Sequence, residues 1–155
     1  MSVAGLRGLL SAGAPGRVID VRWRLDRPDG RPEYLAGHVP GAVCVPLDTE
    51  LSAHGDPSEG RHPMPTTVDL QASARRWGLR RGDAVVAYDD AKGVAAARAW
   101  WLLRQAGVDV RLLEGGFRAW RDAGLEVATD DVTPDEGDVL LDEIGADALT
   151  IDEAA

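Results

Sequence analysis

Three features of the sequence predict an α/β fold built on parallel strands. The runs RVIDVRW (17–23), AVCVPL (42–47) and DAVVAY (83–88) carry adjoining apolar residues instead of a strict alternation, which suits strands covered on both faces. Stretches with helical character and glycine stops lie between them. Strand and helix alternate along the chain, the order that folds into layers joined by right-handed crossovers.

Taken in order, VAGLRGLLSAG (3–13) reads as a helix closed by Gly13 and leads into the first strand. A loop rich in Pro, Gly and Asp (24–33) precedes the second strand, and another (48–65) follows it. TTVDLQASARRWG (66–78) has the Thr start and Gly stop of a helix. After the third strand, segment 94–106 sets Ala95, Ala96, Ala99, Trp100, Leu102, Leu103 and Ala106 on one arc, with Arg98, Arg104 and Gln105 opposite. VRLLEGG (110–116) is a shorter strand with an abrupt glycine end, and GFRAWRDAG (116–124) spaces Phe117 and Trp120 by three. Trp100 and Trp120 are assigned to the core.

The 155 residues amount to about one domain. The net charge is −9, but residues 126–155 hold 11 of the 26 acids and no Lys or Arg. Residues 1–125 therefore carry 15 acids against all 17 bases, a net of +2, so the acidity describes a tail. No concentrated basic face points to nucleic acid, and no apolar run approaches the roughly 20 residues of a membrane span. Arg7 within the first apolar segment argues for a helix over a signal peptide. Cys44 is the only cysteine, which excludes an internal disulfide and suits a reducing cytoplasm.

The most specific signal is YLAGHVPGAVCV (34–45). Pro40-Gly41 makes a tight turn with a left-handed option at Gly41, His38 can fix the loop by hydrogen bonding, and Ala42 lets a strand start close to its neighbour. His38 is read as a turn histidine, not an acid or base. His54 and His62 lie in a mobile-looking loop without metal-ligand spacing, and the acidic tail lacks a D-x-D-x-D-G calcium loop, so no metal site is assigned. Tyr34, His38, Pro40, Gly41 and Ala42, followed by apolar positions, match the signature of the rhodanese family. DVRW (20–23), EGRHPMP (59–65), ARAWWLLRQAG (97–107) and LLEGGFRAW (112–120) extend the resemblance to the first half of two-domain thiosulfate or 3-mercaptopyruvate sulfurtransferases, over residues 2–125.

The resemblance implies a rhodanese fold: α/β, with a five-stranded parallel sheet and helices on both faces. It also implies a chemistry in which a cysteine takes sulfane sulfur from an anionic donor and passes it to a thiol or cyanide, with no cofactor. That cysteine belongs directly after a strand, opening a loop of backbone N–H groups that leads into a helix. Amide donors and the helix dipole there lower a thiol's pKa and hold thiolate and persulfide. In this sequence the position is Asp89, followed by Asp90, Ala91, Lys92, Gly93, Val94 and Ala95. A carboxylate can accept the same hydrogen bonds but cannot carry sulfane sulfur, so no catalytic residue is assigned and Asp89 is expected to stabilise its loop. Asp90 is expected to be solvated, and Lys92, the only lysine, to pair with either acid or stand exposed. Cys44 sits inside a strand and is read as a small buried hydrophobe. Ala91 stands where haloacid-dehalogenase phosphatases need a second Asp. Asp89 and Ala95 stand where rhodanese-related phosphatases need a cysteine and an arginine.

Residues 1–125 are thus expected to form one rhodanese-like domain without its catalytic cysteine. Residues 126–148 read by composition as a solvated acidic linker. TIDEA (150–154) has the pattern of SVAGL (2–6), so 149–155 reads as the start of a second copy. The expected partners are a catalytic rhodanese domain of the same, longer chain and a small anionic sulfur donor at the interdomain cleft. Trp23 either helps form the wall facing that domain or packs beneath loop 24–33. Trp101 either contacts the other domain or lies flat on the surface. The rival reading is a free-standing, catalytically dead rhodanese module acting in binding or regulation.

Overall fold

The computed structural model describes residues 1–145 except Pro15, Pro57 and Glu59. The elements are α1 (Val3–Ser11), β1 (Arg17–Asp20), α2 (Arg31–Ala36), β2 (Val43–Cys44), α3 (Leu47–Glu50), α4 (Thr67–Arg76), β3 (Val85–Tyr88), α5 (Val94–Gln105), β4 (Val110–Leu112) and α6 (Gly116–Asp122). The longer helices start where their caps dictate. The Ser2 hydroxyl accepts from the Gly5 N–H, and the Thr66 hydroxyl accepts from the Asp69 N–H at 3.1 Å while donating to the Asp69 carboxylate. Among the described residues no helix is long and apolar enough to cross a membrane.

All four strands are parallel, in the order β2-β1-β3-β4. Successive residues of β1 and β3 point to opposite faces, and both faces are covered. Ile19, Val85 and Ala87 join a large cluster with Leu70 of α4, Trp77 at its C-terminal cap and Ala96, Leu102 and Leu103 of α5. Val18, Val86 and Tyr88 join a smaller one with Leu6 of α1 and Phe117 and Trp120 of α6. This double coverage is why the strands lack simple alternation.

The resemblance implied five strands, whereas four are assigned among the described residues. Beyond β4 the edge is bordered by Met1, whose ammonium donates to the Leu112 carbonyl at 2.7 Å and whose carbonyl accepts from the Glu114 N–H at 2.9 Å. The chain enters α1 at Val3, so these two bonds never extend into a ladder.

The two Pro- and Gly-rich loops contain short helices that the sequence pattern conceals. Pro32 lies in the first turn of α2, where its missing N–H costs nothing, and Leu47 opens α3 and so ends the second strand early. Arg98, expected on the polar face of its helix, instead reaches across to carbonyls of the 48–65 loop. It donates to Leu51 at 2.7 Å and to His62 and Pro63 at 2.9 Å. A loop expected to be mobile is therefore pinned to α5. Trp120 is buried as expected, but Trp100 is only partly so, packing against the edge of the large cluster.

The largest departure is the acidic segment. Up to Gly145 it does not float in solvent but runs as an extended strap along the domain. The Ala128 N–H and carbonyl pair with His38, Val139 donates to the Leu79 carbonyl at 3.1 Å, and Asp142 donates to the Ala106 carbonyl. Val139 and Ile144 are buried in the large core cluster. Two well-placed apolar residues and a row of main-chain bonds outweigh the polar composition. Residues 146–155, with the expected second copy, lie outside the described residues.

Candidate functional site

In an open parallel sheet, ligands gather at the carboxyl ends of the strands where the strand order reverses. Here that switch point lies between β1 and β3. Asp89 follows β3 directly, and Arg22 and Trp23 follow β1.

The Asp89 side chain is fully buried and enclosed by amides. One carboxylate oxygen accepts from the N–H groups of Ala91 (2.9 Å) and Gly93 (2.8 Å), the other from Ala95 (2.9 Å) and Ala96 (3.0 Å). Lys92 and Gly93 both adopt left-handed backbone, with φ 62° and 86°, in the turn that leads into α5. Gly93 at the N-cap has no side chain to offer, so Asp89 caps α5 from outside the helix. Its own carbonyl accepts from the Phe117 N–H at 2.9 Å. Gly116 must be glycine there, because a Cβ would stand 2.3 Å from that carbonyl oxygen.

The rest of the loop divides. Asp90, expected to be solvated, is half-buried and paired with Arg24 at 2.8 Å. The β1 end brings a guanidinium to it that sequence spacing could not place. Lys92 and Val94 are exposed, and Ala95 is buried. Among the described residues Lys92 forms no ion pair.

The signature residues knit the domain together. His38 is buried, stacks on the Tyr34 ring at 4.0 Å between centroids, and places Nδ1 3.0 Å from the Tyr34 carbonyl. The Tyr34 hydroxyl donates to the Ala42 carbonyl at 2.9 Å and accepts from the Val132 N–H of the strap. Gly41 has φ 76°, the left-handed turn after Pro40. Ala42 is fully buried.

At the end of β1, Asp20 and Arg22 form a buried two-pronged pair, at 3.1 Å from Nε and 2.8 Å from the second nitrogen. Arg22 also donates to the carbonyls of Glu33 and Gly37. Burial pushes the Asp20 carboxyl up to about 6, against the pull of Arg22 and a hydrogen bond from Tyr88. Burial works against the Arg22 charge, but Asp20 outweighs it and holds the guanidinium above its ordinary value.

A group raised in this way contributes full stability below 3.8 and loses it as pH rises through about 6. Relative to Asp20→Asn, the wild-type protein is therefore expected to gain stability between about pH 7 and about pH 4, by on the order of 2 kcal/mol. Urea unfolding of both proteins across that range measures the difference, and a difference flat with pH would contradict it.

Trp23 is half-buried against the large cluster. It meets the His62 ring edge-on at 5.0 Å and lies 5.5 Å from the Arg61 guanidinium. These ring contacts are with the 48–65 loop, while Arg24, Arg27, Gly30 and Glu33 of loop 24–33 line a small crevice with Trp23. His62 Nε2 is 2.6 Å from the Asp48 carboxylate, just past the end of β2. Trp101 stands exposed on α5 and makes no aromatic contact with Trp23. Trp23, His62 and Asp48 therefore group at the carboxyl end of the sheet.

A family model for the rhodanese-like domain matches residues 2–123. The chain belongs to the rhodanese-like domain family. It is 50% identical over 142 residues to a putative thiosulfate sulfurtransferase, SseB, of Mycobacterium tuberculosis, covering 91% of this chain and 50% of the relative. It is 42% identical over 125 residues to a probable 3-mercaptopyruvate sulfurtransferase of Pseudomonas aeruginosa, covering 78% and 44%. The fold superimposes on the 3-mercaptopyruvate sulfurtransferase of Leishmania major with a TM-score of 0.87 at 26% identity, covering 99% of this chain and 43% of that one. For SseA of Escherichia coli the TM-score is 0.85 at 26% identity, with 99% and 59% covered. The chain spans about half the length of the curated relatives it matches.

Within this rhodanese domain the Asp89 carboxylate is saturated, since its two oxygens present about four acceptor positions and four N–H groups fill them. Both oxygens are thereby committed to the amides of their own loop. Cys44 is half-buried in β2, opposite Asp20 in register. Burial first, then the charge of Asp20, pushes its thiol up to about 12, so it holds no useful thiolate at neutral pH. The His62–Asp48 pair was missed by sequence reasoning. Its two members are 14 residues apart with no motif joining them, and only the packing of the loop beside α3 brings them together. A carboxylate on one ring nitrogen fixes the orientation of the His62 ring.

Proposed function

We propose that this rhodanese domain is the supporting half of a sulfurtransferase that moves sulfane sulfur from thiosulfate or 3-mercaptopyruvate to a thiol or cyanide, and that it is itself inactive. The observation that carries this reading is the saturated Asp89 carboxylate, lying in an amide cradle suited to a thiolate. The relatives' names support the donor class, one naming thiosulfate and another 3-mercaptopyruvate. Their greater length is consistent with a catalytic rhodanese domain on the same polypeptide. Trp23 and the exposed Trp101 are then candidates for the face turned towards that domain, and the small anionic donor enters the cleft between them.

Purified chain is expected to release no thiocyanate from thiosulfate and cyanide, and no pyruvate from 3-mercaptopyruvate. Turnover that survives Cys44→Ser would sink the proposal, and turnover abolished by that change would make Cys44 the nucleophile. A second reading, a free-standing module that binds or regulates, is favoured by Val139 and Ile144, which complete the core without a second domain. The intact mass of the protein in its source cells separates the two. A mass about twice 16.5 kDa fits the supporting half, and one of 16.5 kDa fits the module.

A further inference from the structure

We infer that the cleft beside the Asp89 loop binds a small organic anion, a carboxylate or sulfonate with an apolar body. The cleft encloses about 390 Å³ and is lined from the β1 end, α2, the Asp89 loop and α6. Most of the charge around it is already cancelled. Arg22 is committed to Asp20, Arg24 to Asp90 at 2.8 Å, and Glu33 to Arg27 at 3.0 Å.

Two guanidinium groups on α6 remain. Arg121 has no carboxylate partner among the described residues, and its recorded contact is with the Phe117 ring at 5.6 Å. Arg118 has only a 3.5 Å pair with Asp122 in which the side chains are 82% and 65% exposed, a pair that water and salt largely screen. Residues three apart on a helix are neighbours, and Arg118 and Arg121 both line the cleft.

Beside them stands an apolar wall of Phe117, Ala36 and Val127. A guanidinium fork grips a carboxylate or sulfonate with two parallel hydrogen bonds. The wall suits an apolar body and gives nothing to a bare inorganic oxyanion. The inference rests on the cleft alone and does not depend on the sulfur-transfer reading.

Benzoate is the probe, titrated into the ¹⁵N-labelled chain and followed by amide chemical shifts, with benzyl alcohol and sulfate as controls. Benzoate is expected to give saturable shifts at Ala36, Gly37, Val127 and residues 117–121, benzyl alcohol none, and sulfate binding weaker by about tenfold. Arg118→Gln and Arg121→Gln should each weaken benzoate by about fivefold without moving the thermal midpoint, since both side chains are exposed. Absence of saturable shifts at the cleft, or benzoate binding unchanged in the double variant, would overturn the site. Benzyl alcohol binding as well as benzoate would overturn the anion, and sulfate binding as tightly would overturn the apolar body.

Discussion

Asp89→Ala is expected to lower the unfolding free energy by about 3–4 kcal/mol and the thermal midpoint by roughly 8–12 °C. Four N–H groups lose their acceptor at once, and the two from Ala95 and Ala96 belong to the first turn of α5. Hydrogen bonds to a charged group contribute about 1.5–3 kcal/mol each, but the four share one carboxylate and are not additive. Water can reach the outer part of the loop, where Lys92 is exposed, which also lowers the total. Asp89→Asn separates charge from shape. Its amide keeps the outline but turns an NH₂ towards N–H donors, so a loss of about 2 kcal/mol or more is expected. Urea unfolding measures both. A change within about 0.5 kcal/mol for Asp89→Ala would mean that the carboxylate does not hold the loop.

The second large effect is chemical. Asp89→Cys places a sulfur inside the amide cradle at the start of α5, an environment that lowers thiol pKa to roughly 3.5–7.5. Cys44 in the same molecule is pushed up to about 12, so the two thiols should differ in reactivity by at least about 100-fold at neutral pH. Iodoacetamide at pH 7, followed by peptide mapping, is expected to label position 89 and leave position 44 untouched. Equal labelling, or none at either position, would show that the cradle does not stabilise an anion other than its own carboxylate.

The elements that were legible in the sequence were those with strong local causes. Thr66 and Gly78 bracket α4, and the apolar arc of residues 94–106 marks the buried face of α5. What stayed hidden depended on distant partners. Arg98 looked like a solvent-facing charge because its acceptors are the carbonyls of Leu51, His62 and Pro63 in a remote loop. Asp90 looked solvated because Arg24 is 66 residues away. The strap looked like a free linker because composition counts its many acids, while its fixation depends on where Val139 and Ile144 land.

The sequence by itself determined the fold class, the turn at Pro40-Gly41 and the presence of a carboxylate directly after the third strand, because each is a matter of residue identity and local spacing. Only the tertiary structure decided that Asp89 is gripped by four amides, that His62 is oriented by Asp48, that Cys44 is insulated by burial, and that two guanidinium groups on α6 stand beside an apolar wall. Those properties depend on how the backbone folds at each place: the amides that hold Asp89 lie within seven residues of it, whereas Asp48 and Asp20 reach their partners only through packing. The strand order β2-β1-β3-β4 brings them to one end of the sheet, and no local pattern records that order.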